Sequence, residues 1–202
     1  MSFRKEKKYR LTISDFHKIS DQLFQQGMKP LFNPRIINSV YFDTVDLNMF
    51  HESEEGVLPR KKIRIRWYDY IKGYNLETKI SSIEGRFKIT SRVESDISEN
   101  SICTNNRDDP DYGRIWPTLK VSYERSYFQF NKMRLTFDKN ISYQNLTHLN
   151  RQRHFDPERV VEIKLDSGCS DDFVEKFFPY ASARFSKYSR GLLLSVGALS
   201  EI

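Results

Sequence analysis

Cysteine is scarce in this chain of 202 residues: only Cys103 and Cys169 occur, each in a polar neighbourhood. Two isolated thiols give neither a disulfide framework nor a cysteine-held zinc site, and such usage fits a cytoplasmic protein. Long apolar runs are missing too. The nearest candidate, Leu192 to Leu199, falls far short of the ~18 to 20 apolar residues that span a bilayer, so a peripheral membrane role would run through a membrane-protein partner. The start, Met1-Ser2-Phe3-Arg4-Lys5, has no apolar signal core. No glycine-rich phosphate loop, Walker lysine motif or persuasive Ser/His/Asp set stands out. His17, His51, His148 and His154 have no metal-ligand spacing. Nucleotide chemistry on a P-loop, triad hydrolysis and a histidine-held metal centre are therefore set aside.

Charge and aromatic residues are abundant. Charged residues make up 30% of the chain, above the usual quarter, beside 38% hydrophobic and 14% aromatic residues, a composition of one folded domain over 1–202. Lys plus Arg number 33 against 27 Asp plus Glu, for a net charge of +6, which favours a polyanionic partner. The basic residues cluster in strand-like runs, where a merely solubilising excess would sit in loops and on helix faces.

Strand periodicity organises those charges. Residues i and i+2 share a face of a strand, so Glu6-Lys8, Glu77-Lys79 and Glu162-Lys164 each place a carboxylate beside an ammonium on one wall. In Arg60 to Trp67, Lys62, Arg64 and Arg66 alternate with Ile63, Ile65 and Trp67; in Arg86 to Glu94, Arg86, Lys88 and Arg92 alternate with Phe87, Ile89 and Val93. Further strands are predicted over Phe3–Leu11, Ile36–Phe42, Leu119–Phe130, Arg134–Asp138 and Arg159–Asp166. Arg60–Tyr70 and Tyr74–Ile80 read as a hairpin joined by Lys72-Gly73. A helix capped by Ser14 buries Phe16, Ile19 and Leu23 and ends at Gly27. Asp43 serves as a turn or helix cap before a helical turn at Leu47–His51. Ser170 caps a short helix, and a last helix runs from about Ser186 to Leu199. Ser95 to Pro117, rich in Asn, Asp and Ser, reads as a mobile loop or poorly ordered helix. The class is α+β, with about eight mostly antiparallel strands.

So many like charges on one face would repel one another if all faced water. A sheet closed into a barrel turns them into a lumen with basic walls and a few carboxylates. Such a lumen suits a linear polyanion, with Lys and Arg on phosphoryl oxygens and Glu on a divalent cation, and phosphoryl transfer needs little more.

Several ordered motifs then resemble a known family: Glu6-Lys7-Lys8-Tyr9, Ser39 to Thr44, Arg64-Ile65-Arg66-Trp67-Tyr68, Leu76-Glu77-Thr78-Lys79, Arg86-Phe87-Lys88, Tyr123 to Gln129, Arg134 to Asp138, Val161-Glu162-Ile163-Lys164 and Phe185-Ser186-Lys187-Tyr188. Their joint order resembles the VTC (vacuolar transporter chaperone) polyphosphate polymerase domain, a branch of the triphosphate tunnel metalloenzymes related to the CYTH proteins. The resemblance implies a closed eight-stranded antiparallel tunnel that takes ATP or another triphosphate with Mn²⁺ or Mg²⁺ and passes the γ-phosphate to a growing polyphosphate chain. It implies a phosphate-binding set of Lys8, Arg64, Arg66, Lys79, Lys88, Arg125, Arg134, Lys164, Arg184 and Lys187, with Arg64, Arg66, Lys79, Glu162 and Lys187 as catalytic residues. Glu162 is implied as main metal ligand, with Glu77 and Glu6 secondary. Arg184 stands where the pattern commonly has lysine, which keeps the charge and changes the hydrogen-bond geometry.

The opening Arg4-Lys5-Glu6-Lys7-Lys8 lacks the first carboxylate of the CYTH pattern Glu-x-Glu-x-Lys, as is usual in the VTC branch, and this counts against a CYTH-type cyclase or thiamine triphosphatase. The SPX domain and membrane segments of the eukaryotic assemblies are not among these residues, so regulation and export are not implied. Three functions stay open: polymerase, a hydrolase of tripolyphosphate or nucleoside triphosphate, and a non-catalytic polyphosphate-binding module. A closed tunnel admits a linear chain and not a duplex, which argues against nucleic acid.

Overall fold

A computed structural model describes residues 4–93, 97–147, 152–166, 168 and 170–199. Phe3, Glu94, Ser95, His148 and Cys169, on which readings above fall, lie outside them. The chain opens with β1 (Arg4–Leu11) and α1 (Ile13–Gln25). The cap of α1 is Thr12, not the expected Ser14. The Thr12 hydroxyl accepts from the Asp15 backbone N–H (3.1 Å) and donates to the Asp15 carboxylate (2.8 Å), a local exchange that Ser14, two residues later and already inside the helix, is not placed to make. There follow β2 (Lys29–Asp43), α2 (Asn48–Glu55), β3 (Arg60–Tyr68), β4 (Ile71–Ser82) and β5 (Gly85–Val93). Then come α3 (Glu99–Ile102), β6 (Arg107–Asp109), β7 (Gly113–Phe130), β8 (Met133–Asn145), β9 (Arg153–Phe155), β10 (Arg159–Asp166), α4 (Asp171–Glu175) and α5 (Lys187–Ser195).

The β3–β4 hairpin reverses at Asp69–Tyr70, with Tyr70 at φ 68°, and not at Lys72-Gly73. Gly73 lies inside β4 at φ 115°, where a Cβ would meet the Arg92 guanidinium at 3.3 Å. That glycine marks a close approach within the sheet, which in sequence looks the same as a turn.

Eight strands run in the order β1-β10-β8-β7-β2-β3-β4-β5, every neighbour antiparallel, with β6 and β9 added beside β7 and β8. The α+β class and the eight-stranded antiparallel curl are as expected. The curl stops short of full closure: among the described residues β1 and β5 share no ladder pair, leaving a half-barrel with two edges. Lys8 on β1 and Arg86, Lys88 and Arg92 on β5 put like charges along both edges, which opposes their pairing.

The convex face is apolar and covered. Tyr9, Leu135, Phe137, Val161 and Ile163 pack under Phe16, Ile19 and Leu23 of α1 and Val174 of α4, so the α1 stripe is core as expected. Val40, Phe42, Ile63, Ile65 and Trp67 pack under Met49, Ile102, Cys103 and Ile115. This second cover corrects the reading of 95–117 as a mobile loop or poorly ordered helix. Ile97, Ile102, Tyr112 and Ile115, scattered among polar residues, seal the backs of β2 and β3 through α3 and the β6–β7 hairpin. Sparse apolar residues without a period carry no strand or helix signature, yet Trp67 and its neighbours need them as cover.

One end of the concave face is filled by α5. Tyr188, Leu192 and Leu194 pack against Tyr41, Leu119, Val121, Ile141 and Tyr143. Gly191 allows the approach, since a Cβ there would stand 2.4 Å from Tyr143 Cδ1 and 2.7 Å from Leu119 Cδ2. Two buried carboxylates pin the helix. Asp43 accepts from Tyr188 Oη (2.6 Å) and from the N–H groups of Met49 and Phe50 (both 2.9 Å), so it caps α2 as expected and ties it to α5. Asp156 accepts from Arg190 (2.7 and 2.9 Å) and Tyr143 Oη (2.8 Å). No helix among the described residues is long and apolar enough to cross a membrane.

Candidate active site on the concave face

Cross-strand register gathers the charges. Lys8 lies opposite Glu162, Glu162 opposite Thr136, and Thr136 opposite Tyr127, one row running from β1 to β7. The row on one side of it reads Glu6, Lys164, Arg134, Gln129, and on its other side Asp138 faces Arg125. On the other limb, Lys62, Lys79 and Lys88 form a row, and Arg64 lies between Tyr41 and Glu77. Ile63, Ile65 and Trp67 point away into the convex core, so period-two alternation alone decides which side chains reach this face.

Two carboxylates organise the arginines. Glu77, 4% exposed, accepts from Arg64 Nε (2.8 Å) and Lys88 Nζ (2.6 Å), with Arg66 Nη1 at 3.7 Å. Burial alone would raise its carboxyl, but Arg64 and Arg66 outweigh burial and hold it at about 2. Arg64 Nη1 also donates to Tyr41 Oη (2.8 Å), and Arg66 Nη2 to Tyr123 Oη (3.2 Å). Asp138, fully buried, accepts a two-pronged pair from Arg125 (2.6 and 2.7 Å) and Lys187 Nζ (2.6 Å). Burial would raise it as well; Arg125 and Lys187 bring it to about 2. Lys187 Nζ sits 4.5 Å from the Tyr123 ring centre, which orients it further.

Glu162 is held less tightly. Lys164 Nζ is 3.0 Å away, and the Glu162 carboxyl is brought to about 2 where Arg125, Lys164 and Lys8 outweigh its burial. Glu6, diagonal to it, pairs with Lys8 at 3.2 Å. On the opposite limb, burial and then Arg64 depress Lys79 to about 8, and burial chiefly depresses Lys62 to about 8. Tyr41 would be raised by burial, but Arg64, Arg66 and Lys79 together lower it to about 7.

The segment before α5 straps the two limbs. Ala183 N–H donates to Lys8 O (2.8 Å), Lys8 Nζ to Phe185 O (3.2 Å), and Lys62 Nζ to Ser186 Oγ (2.9 Å). Arg184 is exposed and donates to Ser53 O near Arg60, apart from the Asp138 network that Lys187 joins. The other implied residues, Glu6, Lys8, Arg64, Arg66, Glu77, Lys79, Lys88, Arg125, Arg134, Glu162 and Lys164, share the concave face by register.

Sequence reasoning assigned no role to Asp138, Tyr41, Tyr123 or Thr136, and placed Lys62 on the basic face without counting it among the phosphate-binding residues. Asp138 and Thr136 share the face of Arg134 by period two, and Tyr41 alternates with Val40 and Phe42, so the signal was present without a chemical reason to choose it.

Among the described residues no group of three or more His, Cys, Asp or Glu could hold a metal ion. The donors fit a different kind of site. Glu162 and Glu6 supply two diagonal carboxylates, and Thr136 Oγ1, next to Glu162, is buried without a hydrogen-bond partner. Mg²⁺ and similar ions take one or two carboxylates plus substrate phosphates and water, so these residues suit an ion that arrives with a polyphosphate. Glu77 has both oxygens engaged by cations.

Comparison with solved structures places the fold. A candidate adenylate cyclase from Bacillus halodurans superposes with a TM-score of 0.60 at 12% identity, covering 92% of this chain and 94% of that one. A candidate adenylyl cyclase from Hippeastrum, with a dominant triphosphatase activity, gives 0.52 at 15% identity, covering 98% of both. A conserved hypothetical protein from Pyrococcus furiosus gives 0.53 at 13%, covering 92% and 99%. At these identities the likeness is one of fold. No functionally curated protein matches the sequence. The VTC domain family, by contrast, matches residues 3–196, nearly the whole length. This chain belongs to the VTC domain family.

Proposed function

We propose that this protein is a divalent-metal-dependent polyphosphate polymerase that moves the γ-phosphoryl of ATP onto the end of a polyphosphate chain held on the concave face. The observation that carries this reading is the set of cations that both limbs place on the one concave face: Lys8, Lys164 and Arg134 from one, Lys62, Lys79 and Lys88 from the other. In the transfer the bond from the γ-phosphorus to the β,γ-bridging oxygen breaks, a bond to the terminal oxygen of the acceptor forms, and ADP leaves. The transition state spreads charge over the equatorial oxygens, and fixed cations stabilise it without a protein nucleophile. Glu77 and Asp138 serve by keeping Arg64, Arg66, Arg125 and Lys187 in place before substrate arrives. Glu162 and Glu6 are the residues that would hold Mn²⁺ or Mg²⁺, whose charge would neutralise that of the phosphates.

The runner-up gives the phosphoryl to water. It draws on the triphosphatase activity of the Hippeastrum neighbour, and the same cations would serve it. Incubating the protein with ATP and Mn²⁺ while following ADP, orthophosphate and long chains separates the readings. ADP with long chains is the expected result. Orthophosphate without chains would make it a hydrolase, and tight binding without turnover a binding module.

Affinity for tripolyphosphate is expected to fall as pH rises. Lys62 and Lys79 lose their protons near 8 in the unliganded fold, so between pH 7 and 9 the walls lose two charges. A loss of about tenfold follows if each charge contributes a modest surface-like increment. Stability of the unliganded protein moves the other way. The unfolded chain keeps these protons to the ordinary 10.5 whereas the fold releases them near 8, so folding gains as pH rises between those values. Isothermal titration and thermal melts at pH 7 and 9 check both signs.

A further inference from the structure

Beyond Arg125 the concave face changes character. Arg35 of β2, opposite Arg125, has no carboxylate within ion-pair distance among the described residues. Its guanidinium carbon lies 5.5 Å from the ring centre of Phe32, 5.9 Å from that of Tyr68 and 5.6 Å from that of Tyr127. Phe32 and Tyr127 meet edge to face at 5.8 Å. Arg64, Arg66 and Arg125 on this face are held by carboxylates, whereas the described contacts of Arg35 are with rings. Phe32 is 51% exposed, a large ring left open to solvent.

The collar is in line with the phosphate site. Phe32 pairs with Tyr127, and Tyr127 continues the row Thr136, Glu162, Lys8. From Glu162 to Tyr127 is two strand spacings, about 10 Å. That suits a nucleotide lying across the strands, its terminal phosphate at Glu162 and Lys8 and its base at the rings. Aromatic faces and the plane of a guanidinium are what a flat base stacks on, and the rings offer little to a bare phosphate chain.

We infer that Phe32, Arg35, Tyr68 and Tyr127 form a base-stacking subsite for the nucleoside end of the donor. The inference rests on the concave face being the triphosphate site. Stacking reads ring area and not base edges, so purine nucleotides bind ahead of pyrimidine ones without strict choice between ATP and GTP.

The test titrates ATP and inorganic tripolyphosphate, each with Mn²⁺, into wild type, Phe32→Ala, Arg35→Ala and Phe32→Trp. In Phe32→Ala ATP is expected to weaken about tenfold, as loss of one stacked face implies, while tripolyphosphate is unchanged; Arg35→Ala weakens ATP more than tripolyphosphate, and Phe32→Trp keeps ATP affinity. Equal loss for both ligands would reduce the collar to general electrostatics, and no loss for either would reduce it to packing; each overturns the inference. If wild type binds neither ligand, the triphosphate site itself is refuted and the subsite with it.

Discussion

Glu162→Gln is expected to remove metal-dependent turnover of ATP, by about 10² to 10³-fold, the usual cost of deleting one preorganised electrostatic group. The substitution keeps the shape and one hydrogen-bond acceptor but takes away the less tightly paired of the strongly acidic carboxylates on the concave face. Glu77 and Asp138 cannot replace it, since their oxygens are engaged by Arg64 and Lys88 and by Arg125 and Lys187. The fold is expected to survive, because Lys164, the partner of Glu162, is partly solvent-exposed and can be hydrated. Turnover against Mn²⁺ concentration, beside a thermal melt, checks the two halves. Wild-type turnover in the variant would leave Glu162 as an ordinary cross-strand ion-pair partner and refute the assignment.

Asp138→Ala is expected to produce the largest loss of stability. It leaves Arg125 and Lys187 without their buried counter-charge, and breaking one side of such a pair costs about 3–5 kcal/mol. For a chain of this size that is roughly 10 °C in melting temperature. The pH dependence identifies the cause. The Asp138 carboxyl is at about 2 in the fold against an ordinary 3.8, so its contribution is complete above about pH 4 and disappears as pH falls toward 2. Melting curves of wild type and variant should therefore lie far apart at pH 7 and draw closer together as pH falls toward 2. A constant gap across that range would mean lost packing and not lost charge.

Much of this site is legible in the sequence because strand alternation is strictly local. Lys62, Arg64 and Arg66 must share a face once the segment is extended, and the convex placement of Ile63, Ile65 and Trp67 follows from the same rule. What is not legible comes from distant partners. Nothing near Asp138 in sequence announces Lys187, 49 positions away, as its second cation. The cover over Trp67 comes from residues that look like a polar loop, and whether the curl closes depends on how β1 and β5 stand to one another, which no local pattern encodes. Gly73 shows the remaining ambiguity: its positive φ falls in the register shift between the pairs Arg66–Asn75 and Tyr68–Ile71, an irregularity inside a strand and not the reversal of the chain.

The seam between β1 and β5 bears on how a polymer could be handled. A closed tube obliges a linear molecule to thread from a free end, and α5 blocks one of its two mouths, so threading would be one-way and slow for a long chain. A half-barrel imposes no such topology. Here the segment 183–186 crosses the slot and ties Lys8 to Lys62, so a polymer held as proposed would enter sideways only along the stretch this strap leaves uncovered, and a lengthening product would leave by the same stretch without being drawn back out end over end.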